Sequence, residues 1–353
     1  MKILSIIGAR PQFVKEAIIQ KEINKYDDIE EIVVHTGQHY DENMSDIFFQ
    51  VLNMKKPDYN LGINGSSHGQ MTGNMLIEIE KIMIKEKPDV VILYGDTNST
   101  LAGAIAASKL KIKVAHIEAG LRQEPKDMPE EINRVITDRI SDYLFVPSDY
   151  GLKNLEGEGI KNNVFFTGDV MYDIYLEMIP YFDNSLIEKL NLEANNYIVM
   201  TLHRDFNVDD PKKLQTILEQ VAMVNSETPV VWPIHPRTAA RIKTNNLEKY
   251  IRDLKVLDPI DYLNLMGLVQ NCKKALTDSG GFQKESYFAN KEGVVVMPDT
   301  SWRELTDKGI NLLAEPNEIY EKIMENNNTK FEKGIYGNGD SAKQIIKILH
   351  DNN

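Results

Sequence analysis

The chain has 353 residues, 42% of them hydrophobic and 26% charged, as in an ordinary globular protein. Its 53 acidic and 40 basic side chains give a net charge of −13, which excludes the overall basic surface typical of nucleic-acid-binding proteins. The single cysteine, Cys272, excludes a disulfide framework and a cysteine-rich metal site, and no apolar run approaches the roughly 18 residues of a membrane span.

Strand-like apolar runs alternate with helical patterns through the first half of the chain. Strands are predicted at Ile3–Ile7, Ile32–Val34, Val90–Tyr94, Val114–Ile117 and Leu144–Val146. Helices are predicted at Lys15–Ile23, Met71–Ile84 and Thr100–Leu110. This alternation indicates βαβ units and a parallel sheet. The first run is too short for a signal peptide, so we expect a soluble protein of the cytoplasm.

The same plan restarts in the second half, as expected for two domains at about 150 residues each. Strands are predicted at Tyr197–Leu202, Val230–Ile234, Ala275–Thr277 and Val294–Met297, and helices at Pro211–Val224, Phe282–Ala289 and Ser341–Leu349. The boundary is placed near Asp169–Asn184. In open parallel sheets, ligands bind at the carboxyl ends of the strands, so the residues that follow each strand are the candidate ligand-binding residues.

A helix start with two cations follows the first strand, in Gly8-Ala9-Arg10-Pro11-Gln12-Phe13-Val14-Lys15. Pro11 is typical of a first helical position. Arg10 and Lys15 are mildly unfavourable beside the positive end of a helix unless a phosphate lies among them. The alternative is a pair of solvated surface charges. The G-x-G-x-x-G dinucleotide fingerprint is absent from this turn.

Three carboxylates of the first half follow strands or begin a helix. Asp96 comes after Val90–Tyr94, and Glu118 comes after the next strand along the chain. Asp96 has an alternative role as a helix N-cap. Glu130 lies in a helix that Pro129 can open.

That helix has an apolar stripe, formed by Ile132, Val135, Ile136 and Ile140. Helical spacing puts Glu130 and Arg134 on the opposite face. A plain surface pair between these two charges is the alternative, worth a few tenths of a kcal/mol.

Two histidines and a glycine turn follow strands of the second half. His203 and His235 each come just after an apolar run, although a lone histidine is more often structural. Ser279, Gly280 and Gly281 join a strand to a helix, and the glycines let backbone N–H groups approach a phosphate closely. Glu285 lies about one helical turn further on, within reach of a ribose diol. A plain strand-to-helix turn is the weaker alternative, and no metal-binding motif was found.

Taken in order, these motifs resemble the UDP-N-acetylglucosamine 2-epimerase family, in its non-hydrolysing branch, over nearly the whole chain. The motifs are G-A-R-P-Q-F at 8–13, T-G-Q-H at 36–39, G-D-T-N-S-T at 95–100, H-I-E-A-G-L-R at 116–122, P-E-E-I-N-R at 129–134, T-D-S-G-G at 277–281 and Y-G-x-G at 336–339. The resemblance implies an α/β protein of the GT-B fold, with two Rossmann-like domains whose parallel sheets face a central cleft. Residues 1–170, with helix 341–353 crossing back, would form the N-terminal domain, and residues 171–340 the UDP-binding domain.

The resemblance also implies an activity and its residues. The family inverts the carbon that bears the acetamido group: UDP is eliminated to leave a 2-acetamidoglycal and then adds back. The matching catalytic positions are Asp96, Glu118, Glu130 and His203. The matching substrate-binding positions are Arg10, Lys15, Arg134, His235, Ser279, Gly280, Gly281 and Glu285. A regulatory UDP-sugar site would lie near Gln38, His39 and Gln70.

The partners implied are a UDP-sugar and a second copy of the chain, with no cofactor, metal, nucleic acid or membrane. The product would serve surface polysaccharide synthesis. The G-A-R-P-Q-F motif together with His68–Gly73 resembles the subgroup acting on UDP-2,3-diacetamido-2,3-dideoxyglucuronic acid, and the sequence leaves the choice of sugar open.

One segment departs from the family pattern. In Met297–Arg303, Pro298 replaces the usual arginine, and Arg303 is the candidate to compensate. This departure supports one alternative function, a catalytically inactive nucleotide-sugar sensor. A GT-B glycosyltransferase is the other alternative, and the three carboxylates favour epimerisation over it.

Overall fold

A computed structural model describes residues 1–37, 54–65, 67–326 and 329–352. The chain divides into two compact units, Met1–Glu177 with Gly334–Asn353 (unit 1) and Met178–Lys333 (unit 2). The limits of the units thus fall after residues 177 and 333, whereas the sequence placed them after residues 170 and 340.

Unit 1 contains a parallel sheet in the order β3-β2-β1-β4-β5-β6-β7. Its strands are β1 (Lys2–Ile7), β2 (Glu30–His35), β3 (Tyr59–Asn60), β4 (Val90–Tyr94), β5 (Lys113–Ile117), β6 (Tyr143–Val146) and β7 (Val164–Phe166). Its helices are α1 (Arg10–Ile23), α2 (His68–Glu86), α3 (Asn98–Leu110), α4 (Pro129–Ile140), α5 (Asp149–Gly157), α6 (Val170–Met178) and the C-terminal α15 (Ser341–Asp351). Helix α15 packs on α1, which makes the end of the chain part of this unit.

Unit 2 contains a second parallel sheet, in the order β10-β9-β8-β11-β12-β13. Its strands are β8 (Ile198–Thr201), β9 (Val230–Pro233), β10 (Lys255–Leu257), β11 (Lys274–Thr277), β12 (Glu292–Val295) and β13 (Asn311–Leu313). Its helices are α7 (Ser185–Lys189), α8 (Asp205–Val208), α9 (Pro211–Glu227), α10 (Pro236–Thr244), α11 (Tyr262–Asn271), α12 (Gly280–Phe288), α13 (Arg303–Asp307) and α14 (Ile319–Met324). The α/β class and every strand and helix predicted from the sequence are confirmed, with ends shifted by a few residues.

The central strands are apolar almost throughout because helices cover both faces of each parallel sheet. In unit 1, Leu4, Ile6 and Leu93 are fully buried against α2 and α3. In unit 2, Met200 and Trp232 are fully buried in the corresponding core. Burial of this kind, at about 25 cal/mol per Å² of apolar surface, is the main force that holds each sheet to its helices.

Each sheet has one place where the strand order reverses. In unit 1 the chain moves outward in opposite directions from β1 and β4, and in unit 2 from β8 and β11. Loops that follow such a pair of strands diverge and leave a crevice at the carboxyl ends, where ligands of open α/β sheets bind. The turns that follow β1, β4, β8 and β11, together with the helices that they lead into, carry eight of the twelve catalytic and substrate-binding residues predicted from the sequence.

Helix α4 turns its polar face inward. Glu131, Arg134 and Asp138 are buried, whereas the apolar stripe predicted from the sequence is largely exposed, with Ile132 at 45% and Val135 at 40%. An ordinary amphipathic helix would place Arg134 on its solvated face, but here Arg134 is buried. The buried side of α4 supplies charge to the carboxyl ends of β4 and β5.

The start of helix α15 rests on a buried carboxylate of α6. The Asp173 carboxylate accepts the backbone N–H of Ala342 at 2.8 Å. Burial raises the pKa of Asp173 to about 6, although the N–H groups of Ala342 and Ser341 act in the opposite direction. In the unfolded chain an aspartate titrates near 3.9, so the folded state disfavours ionisation of this group.

We predict that Asp173→Asn removes a pH-dependent loss of stability. Because the folded pKa is raised, the wild-type free energy of unfolding falls as the pH rises from about 4 to about 6, by about 3 kcal/mol from this group. The asparagine carbonyl still accepts the Ala342 N–H and cannot ionise. Urea titrations at several pH values should show the variant gaining on the wild type across this window.

Asp183→Asn provides the matched control. The backbone N–H of Ser185 holds the pKa of Asp183 below its ordinary value. The stability that this carboxylate contributes is lost as the pH falls, so Asp183→Asn should change the pH trend in the opposite direction to Asp173→Asn. Equal pH trends for Asp173→Asn and the wild type would contradict the assignment.

Candidate active site

Gln12 fixes the turn after β1 to the turn after β4. Its side-chain oxygen accepts the N–H groups of Gly8 at 2.7 Å and Ala9 at 3.0 Å. Its amide nitrogen donates to the Tyr94 carbonyl at 2.6 Å and the Thr97 hydroxyl at 3.0 Å. A buried amide with its polar atoms bonded in this way holds two strand ends in one arrangement. The G-A-R-P-Q-F motif thus has a structural role at the carboxyl ends of the central strands β1 and β4.

Asp96 follows β4 on a turn that requires glycine. Gly95 has φ +61°, a conformation that side-chain-bearing residues rarely adopt. The Asp96 carboxylate forms an ion pair with Arg134, and the Asp96 carbonyl accepts the Asn133 amide at 2.9 Å. The alternative role of Asp96 as a helix cap is wrong, because Thr97 caps α3 instead. Asp96 is 30% exposed, so its carboxylate is paired and still accessible.

Glu118 follows β5 in a strained backbone conformation. Its φ is +74°, in the left-handed region, which costs a residue with a side chain about 1–3 kcal/mol. Its carboxylate accepts a hydrogen bond from the Lys15 ammonium of α1, and both side chains are largely buried. A Cβ on Gly95 would lie 3.1 Å from the Glu118 carboxylate, so the turns after β4 and β5 touch at this point.

Glu130 stands apart from this cluster. Its side chain is exposed in the first turn of α4, and it makes none of the hydrogen bonds or ion pairs found among the described residues. The alternative of a surface pair between Glu130 and Arg134 is wrong, because Arg134 binds Glu131 at 2.9 Å as well as Asp96. Glu131 is buried and also accepts the backbone N–H of Gln123 at 3.0 Å. The role of Glu131 in holding Arg134 was not predicted, because the sequence does not show that this side chain is buried.

Four predicted residues of unit 1 remain, and three of them lie wholly or partly outside the described part of the chain. Arg10 begins α1, and its side chain is outside the described part of the chain. Gln38 and His39 lie outside the described residues. Gln70 is exposed in the first turn of α2, where its N–H approaches the Ser67 hydroxyl at 3.4 Å.

In unit 2, a buried carboxylate organises the turn after β8. Asp278 is fully buried and accepts the backbone N–H groups of His203 at 3.1 Å and Arg204 at 2.9 Å. It also accepts the side-chain amide of Asn207 at 3.1 Å. Asp278 belongs to the T-D-S-G-G motif, but no role for it was predicted from the sequence. The signal that could have found it is an aspartate placed directly after a buried strand.

His203 presents a partly exposed ring beside that carboxylate. Its Nδ1 lies 3.4 Å from Asp278 Oδ1. Burial lowers the pKa of His203 and Asp278 opposes this, while the positive charge of Arg204 and the neighbouring His235 add to the lowering. The two histidine rings have centroids 6.1 Å apart. His235 is exposed, and its Nδ1 accepts the Arg237 N–H at 3.2 Å, so it also caps α10.

The turn after β11 leaves backbone donors at the start of α12. The Ser279 N–H donates to the Thr277 hydroxyl at 2.9 Å, and the Ser279 side chain makes no capping bond. A Cβ on Gly281 would meet no atom within 4 Å, whereas one on Gly280 would lie 3.5 Å from the indole nitrogen of Trp302. Open space at a helix N-terminus with free N–H groups is a suitable place for an anion. Glu285, half-buried on the same helix, follows this turn.

The atypical Met297–Arg303 segment supplies a wall to this turn. Trp302 is buried, and the Lys284 ammonium lies 3.9 Å from the centroid of its ring system. Arg303, the candidate replacement for the missing arginine, begins α13 and donates to the Asp299 carboxylate at 2.9 Å. The guanidinium is thus held by its own loop.

The described residues contain no group of three histidine, cysteine or acidic side chains placed to hold a metal ion. Within the same residues, no helix is both long and apolar enough to span a bilayer.

The chain is similar to known proteins over nearly its whole length. A family model described as UDP-N-acetylglucosamine 2-epimerase matches residues 21–350. The chain is 45% identical to a UDP-N-acetylglucosamine 2-epimerase homolog of Methanococcus maripaludis, over 99% of this chain and 100% of that protein. It is also 45% identical to the UDP-2,3-diacetamido-2,3-dideoxy-D-glucuronate 2-epimerase of Pseudomonas aeruginosa, over 99% of both chains.

Solved structures give the same answer. The crystal structure of the Methanocaldococcus jannaschii UDP-GlcNAc 2-epimerase in complex with UDP-GlcNAc and UDP superposes with a TM-score of 0.88 at 40% identity, covering 99% of this chain and 100% of that one. The chain therefore belongs to the UDP-N-acetylglucosamine 2-epimerase family, and it is an isomerase of the UDP-sugar 2-epimerase type.

Proposed function

We propose that the protein is a non-hydrolysing 2-epimerase that interconverts UDP-N-acetylglucosamine and UDP-N-acetylmannosamine or their 2,3-diacetamido-glucuronate analogues. The observation that carries the proposal is the pair of carboxylates at the ends of β4 and β5. Asp96 and Glu118 each face a cation, and each depends on a left-handed backbone position. The left-handed conformation of Glu118, a residue with a side chain, is strained, and such strain collects at functional sites.

The reaction needs two proton transfers at one carbon. A carboxylate removes the proton from C2, the electron pair forms a C1–C2 double bond, and the C1–O bond breaks to release UDP. In the return step UDP adds to C1, and an acid protonates C2 from the opposite face. A weakly acidic carbon-bound proton calls for a positioned base, and inversion calls for a second group on the other side.

We assign the acid and base roles to Asp96, Glu118 and Glu130. Lys15 and Arg134 form ion pairs with Glu118 and Asp96 and hold these two carboxylates in place at the strand ends. Glu130 is exposed and carries no ion pair among the described residues, so its carboxylate is available to a substrate. The buried Glu131 has no such availability and acts as a support for Arg134.

We assign UDP to the residues of unit 2. The N–H groups of Gly280 and Gly281 and the hydroxyl of Ser279 are suited to the diphosphate, and Glu285 follows within reach of the ribose. His203, with its ring held near Asp278, is suited to the diphosphate or the departing oxygen, and His235 to the same ligand. In unit 1, Arg10 at the start of α1 keeps its predicted role as a cation for a phosphate.

We also propose that the protein acts in the cytoplasm on precursors of a surface polysaccharide, and that it forms a homodimer. The exposed apolar residues of α4, Ile132, Val135 and Ile136, support a partner on this face, because an apolar stripe ordinarily packs against other protein. The mass of the protein in solution, against 40.3 kDa for one chain, measures the assembly.

Turnover in deuterated water tests the proposed activity. With UDP-N-acetylglucosamine or UDP-2,3-diacetamido-2,3-dideoxyglucuronate as the sole substrate, we expect deuterium at C2 of the epimer, because the proton is lost to groups that exchange with solvent. Mass spectrometry and NMR of the products give the label and its position, and the faster substrate identifies the sugar.

A glycosyltransferase would need an added acceptor, and an inactive sensor would bind UDP-sugar without turnover. Epimer formed without deuterium at C2 would contradict the elimination, and a requirement for nicotinamide would indicate oxidation at a neighbouring carbon.

Neutral isosteres test the three carboxylates. Asp96→Asn, Glu118→Gln and Glu130→Gln should each lower turnover by about 10²–10⁴-fold, because each removes an acid or base. The Glu130 variant should fold with wild-type stability, since its side chain is exposed. Glu156→Gln, which changes an exposed carboxylate on α5, is the control and should keep wild-type turnover. Wild-type turnover in any of the three would move that residue to a structural role.

Gly281→Ala tests the anion site. The added methyl meets no protein atom within 4 Å, so the variant should fold normally. It would occupy the space above the start of α12, and we expect UDP affinity, measured by calorimetry, to fall about tenfold or more. Gly157→Ala, which also adds a methyl group in open space, should leave UDP affinity unchanged. Equal affinities in both variants would exclude the diphosphate from this turn.

A further inference from the structure

His116 of β5 is a fully buried histidine whose two ring nitrogens both have partners. Nδ1 lies 2.7 Å from the Asp138 carboxylate, and Nε2 lies 2.7 Å from the Gly95 carbonyl oxygen. A carbonyl oxygen can only accept a hydrogen bond, so Nε2 is the donor there. None of the roles proposed above uses this residue, although it belongs to the H-I-E-A-G-L-R motif.

Asp138 is the charge that balances this ring. Its second oxygen accepts the Arg122 guanidinium at 2.8 Å and the Gly120 N–H at 3.1 Å. Burial opposes its ionisation, but His116 and Arg122 outweigh burial and hold the pKa of Asp138 below its ordinary value. The other oxygen of this carboxylate is paired with Nδ1 of the ring at 2.7 Å. Arg122, Asp138 and His116 thus form a buried chain that ends on Gly95.

The bond to Gly95 fixes the peptide unit that carries Asp96. The N–H of Gly95 donates to the Ile117 carbonyl at 3.0 Å, and its C=O accepts from His116, so β5 holds this glycine through both backbone groups. The carbonyl of Gly95 and the N–H of Asp96 belong to one planar peptide. A donor on that carbonyl therefore sets the rotation of the plane and the direction in which Asp96 leaves the turn.

We infer that His116 is a positioning residue, which orients Asp96 through the hydrogen bond from Nε2 to the Gly95 carbonyl, with Asp138 and Arg122 fixing the ring. The inference rests on the proposed function, in which Asp96 is an acid or base. Its physical basis is that a carboxylate misplaced by about 1 Å loses about 10²-fold in rate. His116 itself is buried and does not touch the substrate.

Two substitutions separate the two bonds of the ring. The side-chain amide of glutamine in His116→Gln places an N–H near the position of Nε2, whereas that of asparagine in His116→Asn places one near Nδ1. The first variant keeps a donor for Gly95, and the second keeps one for Asp138. Both lose one buried hydrogen bond, so a loss of stability alone cannot distinguish them.

We expect His116→Asn to lower kcat by about 10–10²-fold per folded molecule while the KM for UDP-N-acetylglucosamine stays near the wild-type value. His116→Gln should keep a clearly higher kcat than His116→Asn. Val114→Ala, which removes buried methyl groups from the same strand, controls for general destabilisation and should keep wild-type kcat. Equal kcat in the two His116 variants, whether normal or reduced, would overturn the inference.

Hydrogen exchange separates this inference from the proposed function. Amide exchange at Gly95 and Asp96 should be faster in His116→Asn than in His116→Gln, whatever reaction the protein catalyses. If the wild type epimerises no UDP-sugar and this difference in exchange is present, the function fails and the positioning role stands. Equal exchange in the two variants would contradict the positioning role even in an active epimerase.

A measurement on the wild type covers the case in which a variant does not fold. In protein labelled with ¹⁵N-histidine and ¹³C-carbonyl glycine, we expect a scalar coupling across the hydrogen bond between Nε2 of His116 and the Gly95 carbonyl carbon. Absence of the coupling in the folded wild type would overturn the inference.

Discussion

A buried carboxylate needs hydrogen-bond donors around it. In each unit, one such carboxylate organises the carboxyl ends of the strands. In unit 1, Asp138 collects donors from His116, Gly120 and Arg122, which come from β5 and the loop after it. An unpaired charge in this place would cost several kcal/mol, so the strand ends are drawn to the carboxylate in a fixed arrangement. In unit 2, Asp278 does the same for the turn after β8, through two backbone N–H groups and the Asn207 amide.

The charged side chains required at these strand ends explain why helix α4 buries its polar face and exposes its apolar face. Glu131, Arg134 and Asp138 lie three or four residues apart, so they share one face of the helix and reach the ends of β4 and β5 together. That face cannot also be apolar. The hydrophobic residues Ile132 and Val135 are left outside, where a second copy of the chain is proposed to cover them. Site chemistry and assembly are then consequences of the same helical spacing.

The turns after β4 and β5, which carry Asp96 and Glu118, each contain a left-handed backbone position. Gly95 and Glu118 both have positive φ, and a Cβ on Gly95 would lie 3.1 Å from the Glu118 carboxylate. Three side chains hold these turns, Gln12 from α1, His116 from β5 and Lys15 from α1. Rigid support of this kind places charged groups before the substrate arrives, which lowers the reorganisation needed during catalysis.

The sequence by itself determined the alternation of strands and helices, the family, and the position of Asp96 and Glu118 after buried strands, because apolar periodicity and local motifs are properties of neighbouring residues. It could not determine that Thr97 and not Asp96 caps α3, that Arg134 binds Glu131 and not Glu130, or that α4 buries its polar face. The importance of Asp278 and Asp138 was equally hidden. These features depend on which atoms meet across segments as distant as β8 and β11, and only packing of the sheets brings such atoms together.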